Sequence, residues 1–411
     1  MGSTLSTDML LGLIKRALLL CAVSIIIAAC STGGSRRGQV SGGFDPNNQF
    51  GNGQPGQPRP TVKVALLLPL SGPGSAANIA KALKQAGELA LFDLDNPTVT
   101  LMTRDTQGTP AGAKAAATSA VQAGAELVIG PLFAKSVTAA AEITRAANVP
   151  MVAFSSDPTV AGNGVYLLSF LAGRDVPTIV SFAMSQGRRN FAALIPKSDY
   201  GKIVEGAFRR AVSAQGGQLV AIEQFPLDAN SMLEPAKRIA PLTKSEDPSI
   251  PPRVDTLFIP VGQQYLPTVS ALMPYFEIDT KKIKLIGTGL WDYANVGREK
   301  PIVGGWFPAP DPKGWRAFTQ RYVKTYQTTP PRLASLSYDA VGIAIALSRG
   351  KPGKRYTAQQ LTRARGFAGV DGLFRLLTDG TSERGLAILE VQKFGARVVR
   401  PAPLTFSRAQ F

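Results

Sequence analysis

Short runs of almost unbroken apolar residues alternate, along 61–411, with longer stretches in which alanine and other apolar residues recur every three or four positions. The runs at 62–68, 98–103, 126–130 and 150–154 have strand length, and those at 76–93, 111–123 and 136–147 have helical period. A strand that is apolar throughout is buried on both faces, and strands separated by helices of this length pair in parallel. The pattern restarts after Arg174. Helices are predicted at 176–186, 200–214, 231–242 and 264–274, with strands at 191–195, 218–224, 254–259 and 283–287. Helices at 312–326 and 335–348 follow, then closing strands at 372–375 and 386–391. The expected fold is α/β, with two successive doubly wound parallel-sheet lobes and a ligand cleft between them. These 351 residues exceed what one hydrophobic core ordinarily serves.

The first 60 residues have another pattern. Lys15 and Arg16 precede an apolar run at 17–29, which is 13 residues long. A membrane-spanning helix needs roughly 20, so the run reads as a secretory signal. Residues 31–60 are rich in glycine and proline and have little to bury, which predicts a flexible tether.

Composition narrows the chemistry. The chain has no histidine and two cysteines, Cys21 and Cys30. That excludes a Ser-His-Asp triad, a Cys-His dyad and a histidine-bearing zinc site, and no cofactor is implied. The formal charge is +17. Loss of residues 1–29 would remove Lys15, Arg16 and Asp8 and leave +16. About half of the excess lies between Arg349 and Phe411, where 12 Lys/Arg face 4 Asp/Glu. A basic surface of this kind suits anionic lipid or cell-wall polymer. Export and the lack of interleaved stacking aromatics argue against nucleic acid. A plain solvated surface accounts for the charge equally well.

Ligands of open α/β sheets bind beyond the carboxyl ends of the strands. That rule selects Ser71, the Gly130–Pro131 turn, Ser155, Ser156 and Asp157 in the first half. In the second half it selects Tyr200, Gln263 and Thr288. Hydroxyls and glycines just before helix N-termini suit a carboxylate, although the same serines would serve as helix caps. Catalytic motifs are weak. Ser348-Arg349-Gly350-Lys351 fits S-x-x-K but has no Lys-Thr-Gly partner. Gly287-Thr288-Gly289 has Asp292 where a dinucleotide fingerprint needs glycine. Trp291, Trp306 and Trp315 read as packing residues rather than sugar platforms.

Several stretches resemble type I periplasmic binding proteins of the leucine/branched-chain amino-acid-binding group. They are residues 64–73, Asp105-Thr106-Gln107-Gly108-Thr109-Pro110 with Val128-Ile129-Gly130-Pro131, Asp199-Tyr200-Gly201, Ser337-Tyr338-Asp339, and Gly369-Val370-Asp371-Gly372 with Asp379-Gly380. The resemblance implies a non-enzymatic binding protein with lobes joined by three crossings. It divides the body into 61–172 plus 306–349 and 173–305 plus 350–411. The family's serine after the Gly-Pro loop falls at Ala134, which offers no side-chain hydrogen bond, while Ser155, Ser156 and Asp157 retain a polar loop.

Ile27-Ala28-Ala29-Cys30 resembles the lipobox of bacterial lipoproteins. It implies cleavage of 1–29, lipid on Cys30 and attachment of 30–60 to a membrane. Ser31 is not the aspartate that commonly retains lipoproteins at the inner membrane, which favours the periplasmic face of the outer membrane. Two functions fit. One is an activator of a peptidoglycan synthase, resembling penicillin-binding-protein activators. The other is the receptor of an ABC importer, with a permease partner and a small amino-acid-like ligand. Ala134, Ser31 and the basic tail lean towards the activator.

Overall fold

The computed structural model describes residues 61–406, apart from 96, 229, 246 and 248. The signal, the tether, Cys30 and Ser31 lie outside the described residues. The first half runs β1 (Val62–Leu68), α1 (Ala76–Asp93), β2 (Val99–Asp105), α2 (Pro110–Gln122), β3 (Leu127–Ile129), α3 (Ala134–Ala146), β4 (Met151–Ala153) and β5 (Val165–Leu167). Its five strands form one parallel sheet in the order β2-β1-β3-β4-β5. The unbroken apolar run at 64–68 of β1, after the exposed Lys63, has a direct cause. Val64, Leu66 and Leu68 enter the core under α1, while Ala65 and Leu67 enter a separate core under α2 and α3. Both faces are covered, so neither can be polar.

The second half contains α4 (Val176–Ser185), β6 (Asn190–Pro196), α5 (Asp199–Ala214), β7 (Gln218–Phe225), α6 (Leu233–Ile239), β8 (Thr256–Phe258), α7 (Leu266–Tyr275), β9 (Lys284–Ile286) and β10 (Trp306–Ala309). Then come α8 (Pro312–Tyr326), α9 (Ala334–Ser348), α10 (Ala358–Leu361), β11 (Phe367–Gly369), β12 (Gly372–Leu376), β13 (Ser382–Arg384), β14 (Ala387–Gln392) and β15 (Gly395–Arg400). The second sheet has the order β15-β14-β10-β9-β8-β6-β7. It is parallel from β10 to β7 and antiparallel at β10–β14 and β14–β15. One face packs on α4 and α5 through Phe191, Ile195 and Phe208, and the other on α6 and α7 through Leu194, Leu257 and Met273.

The lobe boundaries differ from those expected. Trp306–Ala309 pairs with β9 and β14, so it belongs to the second sheet. Residues from 312 return to the first lobe and stay there past 349. Phe318 and Tyr322 pack against α1, and Tyr356, Leu361, Phe367, Phe374 and Leu376 share a core with Val62 and Leu66. The crossings therefore run through 168–175, 309–312 and 384–387. A four-residue strand containing Pro308 reads as a loop in sequence, and the strands of the 367–384 sheet are too short to show a period.

Ionisable groups are buried beneath these crossings. Asp371, fully buried, accepts from Ser335 Oγ at 2.7 Å and pairs with Arg332. Asp339, also fully buried at its side chain, accepts the Val370 N–H at 2.7 Å and lies 3.8 Å from Arg384. The two guanidiniums lie over the ring of Phe170, a residue of the first crossing, at 5.2 and 4.8 Å.

Candidate functional site

Three loops converge at the strand ends of the first lobe. A Cβ added to Gly108 would meet Gly72, Pro73 and the Phe133 ring at 3.5–3.6 Å, which places the loops after β1, β2 and β3 side by side. Ser71 caps no helix. Its Oγ donates to Asp105 Oδ2 at 2.6 Å, and Gln107 N–H donates to the same carboxylate at 2.8 Å. Burial works against the charge on Asp105, but these hydrogen bonds outweigh it and hold the carboxyl below its ordinary range. Asp105 therefore occupies the hydroxyl of Ser71.

Ala134 opens α3, and the residue before it, Phe133, supplies no side-chain cap. The first N–H groups of α3 consequently have no side-chain acceptor at the N-cap position, where the helix dipole favours an anion. Phe133 itself is 40% exposed. In the same first turn the Ser136 hydroxyl is buried without a hydrogen-bond partner among the described residues. Ser155 is buried and its Oγ accepts the Asp157 N–H at 3.1 Å, while Ser156 is exposed. The Asp157 carboxylate caps the turn 158–160 by accepting Thr159 N–H and Oγ1–H at 2.9 and 2.7 Å, which lowers its pKa. Ser155 and Asp157 thus act first as local caps, and the Ser156 hydroxyl has no hydrogen-bond partner among the described residues.

On the second lobe the structure joins Tyr200 and Thr288, 88 positions apart, by a 2.9 Å hydrogen bond between hydroxyls. Burial pushes the Tyr200 phenol well above its ordinary value, so it stays protonated and can donate. Tyr200 stands in the first turn of α5, whose cap is Ser198 Oγ accepting Gly201 N–H at 3.1 Å. Thr288 is buried and also caps the turn 289–291. Asp175, just before α4, accepts Gly289 N–H at 2.7 Å and fixes the same loop. Its carboxyl is pushed up by burial, against the pull of that hydrogen bond. Gln263 is exposed, in a loop whose Gly262 would meet Leu290 at 3.4 Å if it carried a Cβ. Leu290 is 45% exposed. Asp105 entered the sequence reading only as the first residue of the 105–110 stretch, with no role of its own, and Phe133, Asp175 and Leu290 were not singled out by sequence reasoning. An aspartate directly before a predicted helix, as at 175, is the one available signal among them.

Two parallel-sheet lobes, linked by three crossings and carrying glycine- and hydroxyl-rich loops at their strand ends, define a two-lobed binding fold. The family model described as periplasmic binding protein matches residues 61–396, and the chain belongs to this family, in its type I leucine/branched-chain amino-acid-binding group. A curated relative, Leu/Ile/Val-binding protein homolog 6 of Brucella abortus, is 29% identical over 189 residues, 43% of this chain and 47% of the relative. The match thus spans about half the length of that relative. A putative branched-chain amino acid ABC transporter protein from Rhodospirillum rubrum superposes with a TM-score of 0.70 at 18% identity, covering 82% of this chain and 100% of its own. A solute-binding protein of an ABC transporter from R. palustris, in complex with benzoate, gives 0.54 at 18% identity over 84% of this chain and 97% of its own.

Proposed function

We propose that the protein is a non-enzymatic solute receptor of an importer, whose lobes close on a small carboxylate with an apolar body. The observation that carries this is the α3 N-terminus without a side-chain cap, set beside the exposed Phe133 ring. The Tyr200–Thr288 hydroxyls and exposed Leu290 stand at the strand ends of the other lobe. Backbone N–H groups and the helix dipole supply the anion site that the Ala134 side chain lacks. Phe133 and Leu290 supply apolar walls. The Brucella relative is named for leucine, isoleucine and valine and the R. palustris protein holds benzoate. All four are carboxylates on apolar bodies, which supports the class.

Closure needs ligand contacts that are better in the closed state than in the open one. A ligand at 100 times its Kd should then stabilise the protein by about 2.7 kcal/mol. Thermal unfolding against leucine, isoleucine, valine and benzoate measures this. Tyr200→Phe should lower the stabilisation by about 1 kcal/mol through a lost hydrogen bond, and joint replacement of Ser155 and Ser156 by alanine should lower it further. Stabilisation by none of these solutes would sink the receptor reading.

One observation favours a second reading, an envelope activator of a peptidoglycan synthase. Ala134 has no hydroxyl and that of Ser71 is held by Asp105, so two polar groups are withdrawn from solute. Retention of a synthase on the immobilised protein, with no solute stabilisation, is the outcome this reading requires. Under both readings we place the protein in the periplasm, held by lipid on Cys30, with the outer membrane as the site favoured by Ser31. Cys30→Ser should move it from the membrane to the soluble fraction of lysed cells, and continued sedimentation with membranes would refute the anchor.

A further inference from the structure

We propose that the junction of the lobes holds a second ligand site, for an anion carrying an apolar body. A cavity of about 580 Å³ lies there, a size typical of small-molecule sites. The second lobe contributes Tyr293, Phe307 and Val398 to its wall, and α8 of the first lobe contributes Lys313, Trp315 and Arg316. None of the residues at 71, 134, 155–157, 200, 263 and 288 lines it.

Its charges are unequally committed. Arg397, on the rim, is paired with Glu390 at 2.9 Å. The Asp311 carboxylate is engaged as the α8 cap, accepting Lys313 N–H at 2.9 Å. Arg332 is paired with Asp371, and the carboxyl of the remaining acid of the wall, Asp292, is pushed up by burial, with Arg332 opposing the rise. Lys313 and Arg316 remain. Among the described residues neither has a carboxylate within 4.0 Å, and the Arg316 guanidinium makes only a 3.4 Å bond to the Pro312 carbonyl one turn back. Three residues apart, they project from one side of α8. Tyr293, also of the wall, packs partly against the second-lobe core, and its hydroxyl is buried with no hydrogen-bond partner among the described residues. An unmet buried donor is costly, and a ligand oxygen would satisfy it.

Two free cations, an idle phenol and the walls of Trp315, Phe307 and Val398 therefore specify a carboxylate or phosphate head on an apolar group. The walls belong to both lobes and adjoin the crossing at 309–312. A ligand here senses the relation of the lobes, and its binding is linked to closure at the strand-end site.

Trp291 and Trp315 line the cavity, so tryptophan fluorescence reports it locally. Phenyl phosphate and benzoate, titrated at fixed ionic strength, distinguish the two head groups, and inorganic phosphate tests the head alone. At least one aromatic anion should give a saturable change, with inorganic phosphate roughly tenfold weaker. Joint replacement of Lys313 and Arg316 by alanine should weaken the response by a further factor of roughly ten or more. Both side chains are exposed, so the melting temperature should not move. A saturable response to neither aromatic anion overturns the site. So does a response that survives the double variant but disappears in Tyr200→Phe, which would assign binding to the strand ends. Equal affinity for inorganic phosphate would show a surface-charge effect and also overturn it.

Discussion

Gly130→Ala is expected to destabilise the first lobe by about 3 kcal/mol or more, the sum of backbone strain and overpacking. Gly130 closes β3 with φ +87°, a conformation that side-chain-bearing residues rarely adopt, and its added Cβ would collide with the Leu67 carbonyl of the neighbouring strand. The carbonyl belongs to β1, an interior strand paired on both sides with β2 and β3, and cannot withdraw without disturbing the sheet. The collision would instead push Pro131–Ala134 outward and carry the start of α3 with it, so solute stabilisation should fall together with stability. Gly187→Ala is the control. It has φ +83° but nothing within 4 Å of the new Cβ, so only backbone strain remains, about 1 kcal/mol. Urea unfolding of both variants decides the matter, and equal losses would show that the contact with Leu67 carries no weight.

The contrast between β1 and β10 shows what the sequence can and cannot reveal. β1 is seven residues long and buried between two helix layers, so its apolar run is long enough to read directly. β10 has the same burial on all four residues but is short and contains a proline. Its place in the sheet depends on pairing with β14, 80 residues later, which no local pattern encodes. The site divides the same way. That ligand-facing loops lie at Ser71, Gly130 and Ser155 follows from where strands end. What those side chains do depends on partners remote in sequence. Asp105 removes Ser71 from service across 34 positions, and Thr288 meets Tyr200 across 88. A loop can be located from sequence, whereas the state of its hydroxyls is a tertiary property. The same limit hid the junction cavity, because its walls come from 291–296, 307, 311–316, 332, 389 and 395–398, segments that only the crossings bring together.

The second large effect concerns pH. Burial raises the Asp339 carboxyl to about 7, with Arg384 opposing the rise and Asp371 adding to it. Arg332 and the hydrogen bond from Val370 N–H lower it only in part. The fold therefore prefers the neutral acid. Below about pH 4 the folded and unfolded chains both hold this proton, and its contribution to stability is complete. Between about 4 and 7 the unfolded chain releases the proton while the folded chain keeps it, so stability falls by about 1.4 kcal/mol for each pH unit. Above 7 the loss is constant. Asp105, Asp157, Asp379 and Glu390 have lowered values and act in the opposite sense, losing stability on acidification. The whole-protein profile mixes both, so the difference from Asp339→Asn is the proper measurement. Asparagine keeps an acceptor for Val370 N–H and does not titrate. Relative to the parent, this variant should gain about 3 kcal/mol between pH 4.5 and 7 in urea unfolding. A difference that stays constant across that interval would mean Asp339 is ionised in the folded protein throughout, with Arg384 compensating its burial completely.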